Sequence, residues 1–402
     1  MSFPAPAARP GAAFVVLVGA MAALPAVTTD LYLPSLPDVA ADLSTTAALV
    51  QGTITGVLVG GALGQLLMGP LSDRHGRRGP VLVGVSIHVV ASVLCMVAPD
   101  ILPLLALRVI QGIGNSAATV CAMAVIRDRY SGAGASVVLS RLMLVIGVAP
   151  LFAPSLGGLI AGWWGWRGTF GALAVLGLVL LVVVALALPE TLPPARRRRD
   201  GLGGTLRGYR TLLRDRQFMG LAVLPGLGLA ALMSYVAGSP FVLREGYGLS
   251  ANVFALLFAV NGVGIILGSQ VNASLVRRFA PLAILRVAMP VAAALGVVLL
   301  LVAETGAGGL VGLLVPLWLL LTVNSVIPPN ASALALTRHG ERAGAAAALV
   351  GALQAGVAGV ISPLVGVLGE DAAAMSVVIL GAVLAGLAVL ALTTPAYRRG
   401  AA

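Results

Sequence analysis

Between two long apolar runs stands Gly69-Pro70-Leu71-Ser72-Asp73-Arg74-His75-Gly76-Arg77-Arg78. Gly76 permits a tight turn there. Asp73 can sit near a helix N-terminus or accept from an arginine, and the arginines hold such a loop at an anionic membrane surface. On either side the chain is apolar for about 20 residues, the length a helix needs to cross a bilayer, so the loop joins two membrane-crossing helices. Composition agrees. The chain has 402 residues, 59% apolar and 10% charged, with a mean hydropathy of +1.04, where a soluble domain carries about 25% charged residues. An ordinary soluble enzyme and a disordered chain are both excluded.

Scanning outward from the loop for apolar windows bounded by Arg, Pro or Gly clusters gives twelve spans, at 12-34, 49-70, 80-98, 101-126, 138-162, 168-188, 218-242, 252-274, 282-303, 309-334, 343-368 and 374-394. The longest polar stretch, 189-217, separates two six-helix halves, 1-188 and 218-402, and reads as a linker. All 25 cationic residues are arginines. Cationic loops resist translocation, and with the N-terminus inside, 22 of them fall inside and only Arg167 and Arg244 outside, with Arg108 within a span. Both termini are therefore expected in the cytoplasm of a cell-membrane protein. That bias also accounts for the net charge of +11, and without stacking aromatics beside the arginines no nucleic-acid partner is expected. Arg9 and the apolar run after it resemble a secretory signal; an uncleaved first helix is preferred because it agrees with twelve spans and two inside termini.

Lysine is absent, which rules out a Walker A loop, a Schiff-base cofactor and a lysine general base. Cys95, Cys121 and three scattered histidines show no disulfide or metal-ligand spacing. No Gly-x-Ser-x-Gly elbow, His-Glu-x-x-His or pair of intramembrane aspartates is present, so an enzyme is not expected. No cofactor is expected.

Two ionisable residues stand deep in the spans. Placing an ionised carboxylate there costs roughly 2.5–3.5 kcal/mol on insertion scales, so Asp30 should face a cavity or a partner, where it can load and unload a proton. The alternative is an interfacial aspartate that simply ends helix one beside Pro34 and Pro37. Arg108 is the natural counter-ion: at 1.5 Å per residue, Asp30 lies about 6 Å and Arg108 about 10 Å below the same surface. Gln111 and Asn115 continue a polar stripe from Arg108 at offsets of three and seven, which suggests a water-accessible cavity. Tyr32, Asn261, Asn324 and Gln354 are further candidates for its wall, although a lone amide in a helical bundle more often bonds a neighbouring helix.

The loop at Gly69, Asp73, Arg74, Gly76, Arg77 and Arg78 resembles the signature Gly-x-x-x-Asp-Arg-x-Gly-Arg-Arg loop of the major facilitator superfamily, which falls between spans two and three. Thr29-Asp30-Leu31-Tyr32-Leu33-Pro34-Ser35-Leu36-Pro37 is similar to the helix-one motif of Bcr/CflA-type drug:proton antiporters, the bicyclomycin and chloramphenicol resistance exporters. Leu107-Arg108-Val109-Ile110-Gln111-Gly112-Ile113-Gly114 resembles the helix-four motif whose arginine the family links to proton coupling. In span five, Gly147, Pro150, Pro154, Gly157 and Gly158 fall on a segment similar to the antiporter motif, with Ala153-Pro154 where the general form has Gly-Pro. Glycines there allow close helix packing and prolines bend the helix. Pro189-Glu190-Thr191-Leu192-Pro193 also fits the subgroup. Between spans eight and nine, Gly268 through Asn272 to Arg277-Arg278 reads as a degenerate copy of the first loop, with an amide in place of the acid.

The resemblance implies an all-α major facilitator fold of two pseudo-symmetric six-helix halves. It implies a proton-coupled antiporter, expected to be a monomer, that exports small amphipathic drugs or secondary metabolites by alternating access. Asp30 and Arg108 would handle the proton, and Asp73, Arg74 and Arg77 would latch the inner ends of the halves. An exporter of a sugar, amino acid or other metabolite is the alternative among transporters; a membrane sensor or scaffold is the alternative outside them.

Overall fold

The computed structural model describes residues 11–130, 132–197, 202–339 and 343–398. Side chains at 132–137, 139–141, 143–151, 196, 202–207, 251–252, 343, 396 and 398 are also outside the description. The described residues are almost wholly helical and contain no strand. Hydrocarbon offers no partner for a free N–H or C=O, so each crossing satisfies its backbone internally.

Span one is α1 (Ala12–Asp30), a 3-10 turn (Leu33–Ser35) and a short α2 (Leu36–Asp42). Spans two, three and four are α3 (Ala47–His75), α4 (Arg78–Met96) and α5 (Ile101–Arg129). The helix α6 (Gly132–Ala187) contains both spans five and six. Its reversal is at Gly165, whose φ of 67° only glycine adopts at little cost. That turn is bolted down by its neighbours. Trp166 Nε1 donates to Asp42 Oδ2 at 3.0 Å, Arg167 pairs with the same carboxylate, and Arg167 Nη2 reaches the Ala98 carbonyl at 3.3 Å.

In the second half, α8 (Arg216–Ser239) continues as a π-helical segment (Pro240–Gly246) to make span seven. Next come α9 (Ala251–Leu275) and α10 (Pro281–Thr305). Span ten is broken at Ser325 and Val326 into α11 (Gly309–Asn324) and α12 (Ile327–Arg338). Span eleven is likewise broken into α13 (Ala343–Ile361) and α14 (Leu364–Leu368), and α15 (Ala372–Thr393) is span twelve. The stretch 189–217, expected to be a plain polar linker, carries α7 (Leu202–Arg214). Leu212 is buried while Arg210 and Arg214 are exposed, the one-sided pattern of a surface helix that average polarity conceals.

Within the first half the tightest seam is between α3 and α5. Gly52, Gly56, Gly60 and Gly64 recur every four residues along α3 and face α5. A methyl at Gly60 would lie 2.0 Å from the Val109 carbonyl oxygen, and one at Gly112 would lie 2.2 Å from that of Val57. Lipid supplies no hydrophobic drive between helices, so backbone contact of this kind supplies the packing energy. The two halves meet along α3 against α13 and α6 against α9.

Candidate functional site

Arg108 is completely buried on α5. Its Nη1 donates to Gln111 Oε1 at 2.6 Å and toward the Thr28 carbonyl at 3.5 Å, and its Nε donates to the Thr53 carbonyl at 3.3 Å. The Thr28 oxygen is free to accept because α1 tightens at its end: the Tyr32 N–H goes to Thr29, not Thr28. Above the guanidinium lie the rings of Tyr32 and Phe170, with centroids 4.9 and 5.6 Å from its central carbon. A buried charge can be balanced in this way by neutral acceptors and aromatic faces. Arg108 Nη2 has no hydrogen-bond partner among the described residues.

Asp30, the last residue of α1, is 6% exposed. Among the described residues no hydrogen bond or ion pair reaches its carboxylate. The sequence leaves open whether Asp30 and Arg108 meet, and in this structure they do not pair: Arg108 touches the backbone of α1 two residues before Asp30 instead.

The polar stripe is buried in this structure. Gln111 Nε2 donates to Ser92 Oγ at 2.7 Å, and that hydroxyl donates to the His88 carbonyl at 2.7 Å. The His88 ring Nε2 lies 3.3 Å from the Leu173 carbonyl. Asn115 is 1% exposed and lies beside the His88 ring. The stripe thus runs through the interior of the first half toward α4 and α6. Tyr32 belongs to the same interior, fully buried against Phe170 at 5.1 Å, with its hydroxyl accepting from Thr53 Oγ1 at 3.3 Å. Sequence reading missed Thr53, Ser92, His88 and Phe170. Only His88 carried a signal, as an ionisable group inside a span.

In the second half Asn324 lines a small cavity of about 10 Å³. Its Nδ2 donates to the Gly228 carbonyl at 2.8 Å, deep among Leu224, Met289, Ile327 and Val383. Asn261 is 3% exposed at the floor of a groove of about 300 Å³ between α9 and α11. Gln354 is half-buried on α13. Asn330 Nδ2 donates to Asn272 Oδ1 at 2.6 Å, so an uncharged amide pair ties span eight to span ten.

Between the halves, Arg244 Nη1 donates to the Pro34 carbonyl at 2.6 Å, and the Gly366 N–H donates to Gln51 Oε1 at 3.0 Å, both on the face away from the arginine-rich loops. On the arginine-rich face, the Tyr209 hydroxyl of α7 donates to the Leu66 carbonyl at 3.4 Å. Gly157 brings α6 against the end of α1: a methyl there would lie 1.9 Å from the Leu31 carbonyl oxygen, one residue beyond Asp30. Gly158 faces Pro34 and Pro154 is buried. The contacts of Gly147 and Pro150 lie outside the described residues.

The loop at 69–78 forms the charged site of the arginine-rich face. Gly76 has φ of 95°, and a methyl on it would lie 2.2 Å from Glu190 Oε2. Arg77, 6% exposed, donates from Nη1 to Asp73 Oδ1 at 2.6 Å and Ser72 Oγ at 2.8 Å, and from Nε to Asp128 Oδ2 at 2.9 Å. Glu190 accepts the Arg77 and Arg78 backbone N–H groups at 2.8 and 3.3 Å. Burial alone would lower the Arg77 pKa, but hydrogen bonds to Asp128 and Asp73 hold it above the ordinary arginine value. For Glu190 burial pushes up, and the N–H groups of Arg77, Leu192 and Arg78 hold the carboxyl below its usual range. The side-chain partners of Arg77 among the described residues, Ser72, Asp73 and Asp128, all belong to the first half. The expected latch between halves is in this structure a brace within one half. Arg74 is exposed, Gly69 is half-buried near the end of α3, and Arg78 also donates to the Ala185 carbonyl. Asp128 and Glu190, which complete the brace, were not singled out from sequence as its partners.

Among known proteins, the Major Facilitator Superfamily model matches residues 15–363. The chain is 36% identical to the uncharacterized MFS-type transporter YdgK of Bacillus subtilis, covering 96% of this chain and 97% of that one. It is 30% identical to a bicyclomycin resistance protein homolog of Haemophilus influenzae, covering 92% of each. Its fold is similar to that of the nucleoside transporter NupG, with a TM-score of 0.75 at 12% identity over 94% of this chain and 99% of that one. A family model over most of the chain and kinship along nearly its whole length with resistance transporters have one reading: the chain belongs to the Major Facilitator Superfamily, in its Bcr/CflA-type group of transporters.

Proposed function

We propose that this transporter is a proton-coupled antiporter that exports small amphipathic drugs or metabolites, with both termini in the cytoplasm. The observation that carries the reading is Asp30, a membrane-buried carboxylate with no ionic or hydrogen-bonding partner among the described residues, set one residue from the contact between α1 and α6. An unpaired carboxylate at that depth is stable neutral and costly when charged, so its protonation favours whichever arrangement of the halves buries it. A solute in the neighbouring central space and a proton on Asp30 then compete through the same conformational equilibrium. Arg108 holds the backbone near Asp30 through the Thr28 carbonyl, which links movement of α1 to α5. The arginine bias across the loops supports inside termini, and the kinship with a bicyclomycin resistance homolog supports an export role.

Inverted vesicles acidified inside by respiration test this. Addition of a panel that includes bicyclomycin and chloramphenicol should release lumenal protons, read by a pH-sensitive dye, in the parent and not in Asp30→Asn. Undiminished proton release in Asp30→Asn would move the proton carrier elsewhere, and no release by any compound, with insertion verified, would reject drug antiport.

A further inference from the structure

The helix α7 lies between the two halves on the arginine-rich face, and its seat fixes which way its side chains turn. The Tyr209 hydroxyl donates to the Leu66 carbonyl of α3 at 3.4 Å, and Gly208 faces Ala345 near the start of α13. Leu212 is fully buried in the apolar core. Leu66 stands four residues, about 6 Å along the helix, inside the expected end of span two at Pro70. The tip of Tyr209 therefore reaches the edge of the hydrocarbon. The body of α7 then lies in the headgroup layer, which is about 5–7 Å deep on each side of a bilayer.

Leu213 follows Tyr209 by four residues and so shares its side of the helix. It is 53% exposed, and on that side it turns toward the acyl chains. Arg210 and Arg214, also four residues apart, stand about 100° further round, and both are exposed. Among the described residues no hydrogen bond or ion pair reaches either guanidinium. The one acidic residue between positions 201 and 217 is Asp215, and Arg338 and His339 already engage it. The tendency of arginine to collect on one face of a membrane protein explains where these charges are. It does not explain a basic stripe set beside an exposed leucine at bilayer depth, the pairing found in helices that lie in a membrane interface. A guanidinium without a carboxylate partner matches the paired oxygens of a phosphodiester, and a zwitterionic headgroup offsets its phosphate with its own ammonium. We infer that α7 is a docking surface for anionic phospholipid in the leaflet at the arginine-rich face, with Arg210 and Arg214 on the phosphates and Leu213 among the acyl chains. The inference needs only the membrane-spanning fold and is independent of the antiport reading.

The test uses the full chain carrying Leu213→Trp in phosphatidylcholine nanodiscs, with the fluorescence of the parent's own tryptophans subtracted. Phosphatidylcholine or phosphatidylglycerol with dibrominated acyl chains, which quench tryptophan on contact, replaces part of the lipid. An arginine near the surface favours anionic lipid by about fivefold, so half-quenching should need about tenfold less brominated phosphatidylglycerol than brominated phosphatidylcholine. The ratio should shrink as salt is raised and fall toward one when Arg210→Gln and Arg214→Gln are combined. Both arginines are exposed, so their loss leaves the fold in place. Equal quenching by the two lipids would show a helix that rests on any bilayer and would overturn the inference. Quenching by neither would place α7 in water and overturn it as well. A ratio that survives the double substitution would assign the lipid preference to other arginines and remove this one from α7.

Discussion

The Tyr32 ring covers the Arg108 guanidinium at 4.9 Å, across the gap between α1 and α5. A desolvated cation over an aromatic face is worth about 2 kcal/mol, and here the face also excludes water from a charge that no carboxylate neutralises. Tyr32→Phe retains the face and loses only the 3.3 Å contact to Thr53. It should therefore keep its melting temperature in detergent close to the parent's. Tyr32→Leu removes the face and should lose about 2–3 kcal/mol, seen as a clearly lower melting temperature; equal melting of the two variants would deny the ring its electrostatic role.

Arg108→Lys tests the same cluster from the other side. An ammonium cannot span Gln111, Thr53 and Thr28 at once as the guanidinium does. Export should fall at least tenfold while the protein still inserts, a change of about 1.4 kcal/mol or more. Export at the parent rate with lysine would show that charge alone is used there.

Much of this arrangement was legible in the sequence, and the exceptions have physical causes. Crossing a bilayer demands about 20 apolar residues, so window boundaries fell within a few residues for most spans, and Gly165 lay in the expected gap between spans five and six. Periodicity placed Arg108, Gln111 and Asn115 on one face of α5. It carries no information on what that face meets, and here the face bonds to α3 and α4. Asn324 obeys a related rule: an amide inside a bundle bonds a neighbouring helix, here at the Gly228 carbonyl. Nothing in the sequence ties Asp128, or Glu190 with its subgroup motif, to Arg77, because 51 and 113 residues separate them from it.

Because the Arg77 brace lies within one half, its loss should unfold more than it unlatches. Arg77 and Asp128 form a mostly buried pair at 2.9 Å. A double-mutant cycle with Arg77→Gln and Asp128→Asn should show coupling of about 1.5–3 kcal/mol in thermal or denaturant stability. Gly76→Ala should cost at least about 1–3 kcal/mol, since alanine resists a positive φ and its methyl would meet Glu190. Coupling near zero would sink the brace.

The second half has its own pH signature. Asp215 caps α8 through the Gln217 and Phe218 N–H groups and pairs with Arg338 at 2.6 Å and His339 at 3.0 Å. Burial pushes its carboxyl up, but the Arg338 hydrogen bond, the Phe218 N–H, His339 and the Arg338 charge together bring it from 3.8 down to about 2. A depressed folded value means that the ionised form stabilises the fold. That contribution is complete above the unfolded value near 3.8 and is lost as pH falls through about 2. The gap in melting temperature between the parent and Asp215→Asn should thus stay constant from pH 8 to about 5 and close only below about 4. A gap that shrinks between pH 8 and 6 would assign the effect to another group.

On the face away from the arginine-rich loops, the two halves are joined by Arg244 donating to the Pro34 carbonyl, and by the Gly366 N–H donating to Gln51. Both bonds must break for that face to open. A hydrogen bond from a charged group contributes about 1.5–3 kcal/mol, so Arg244→Ala should raise the population open on that face by about tenfold or more. Ala48 is half-buried beneath Gly366, where an added methyl would lie 2.8 Å from the Ala48 Cα. A cysteine at Ala48 therefore reports the opening, and the natural Cys95 and Cys121 are both buried. Labelling of Ala48→Cys by a membrane-impermeant maleimide should be slow in the parent background and about tenfold faster with Arg244→Ala. An unchanged rate would mean that the α3–α13 packing alone holds this face shut and that the bond to Pro34 is incidental to the transport cycle.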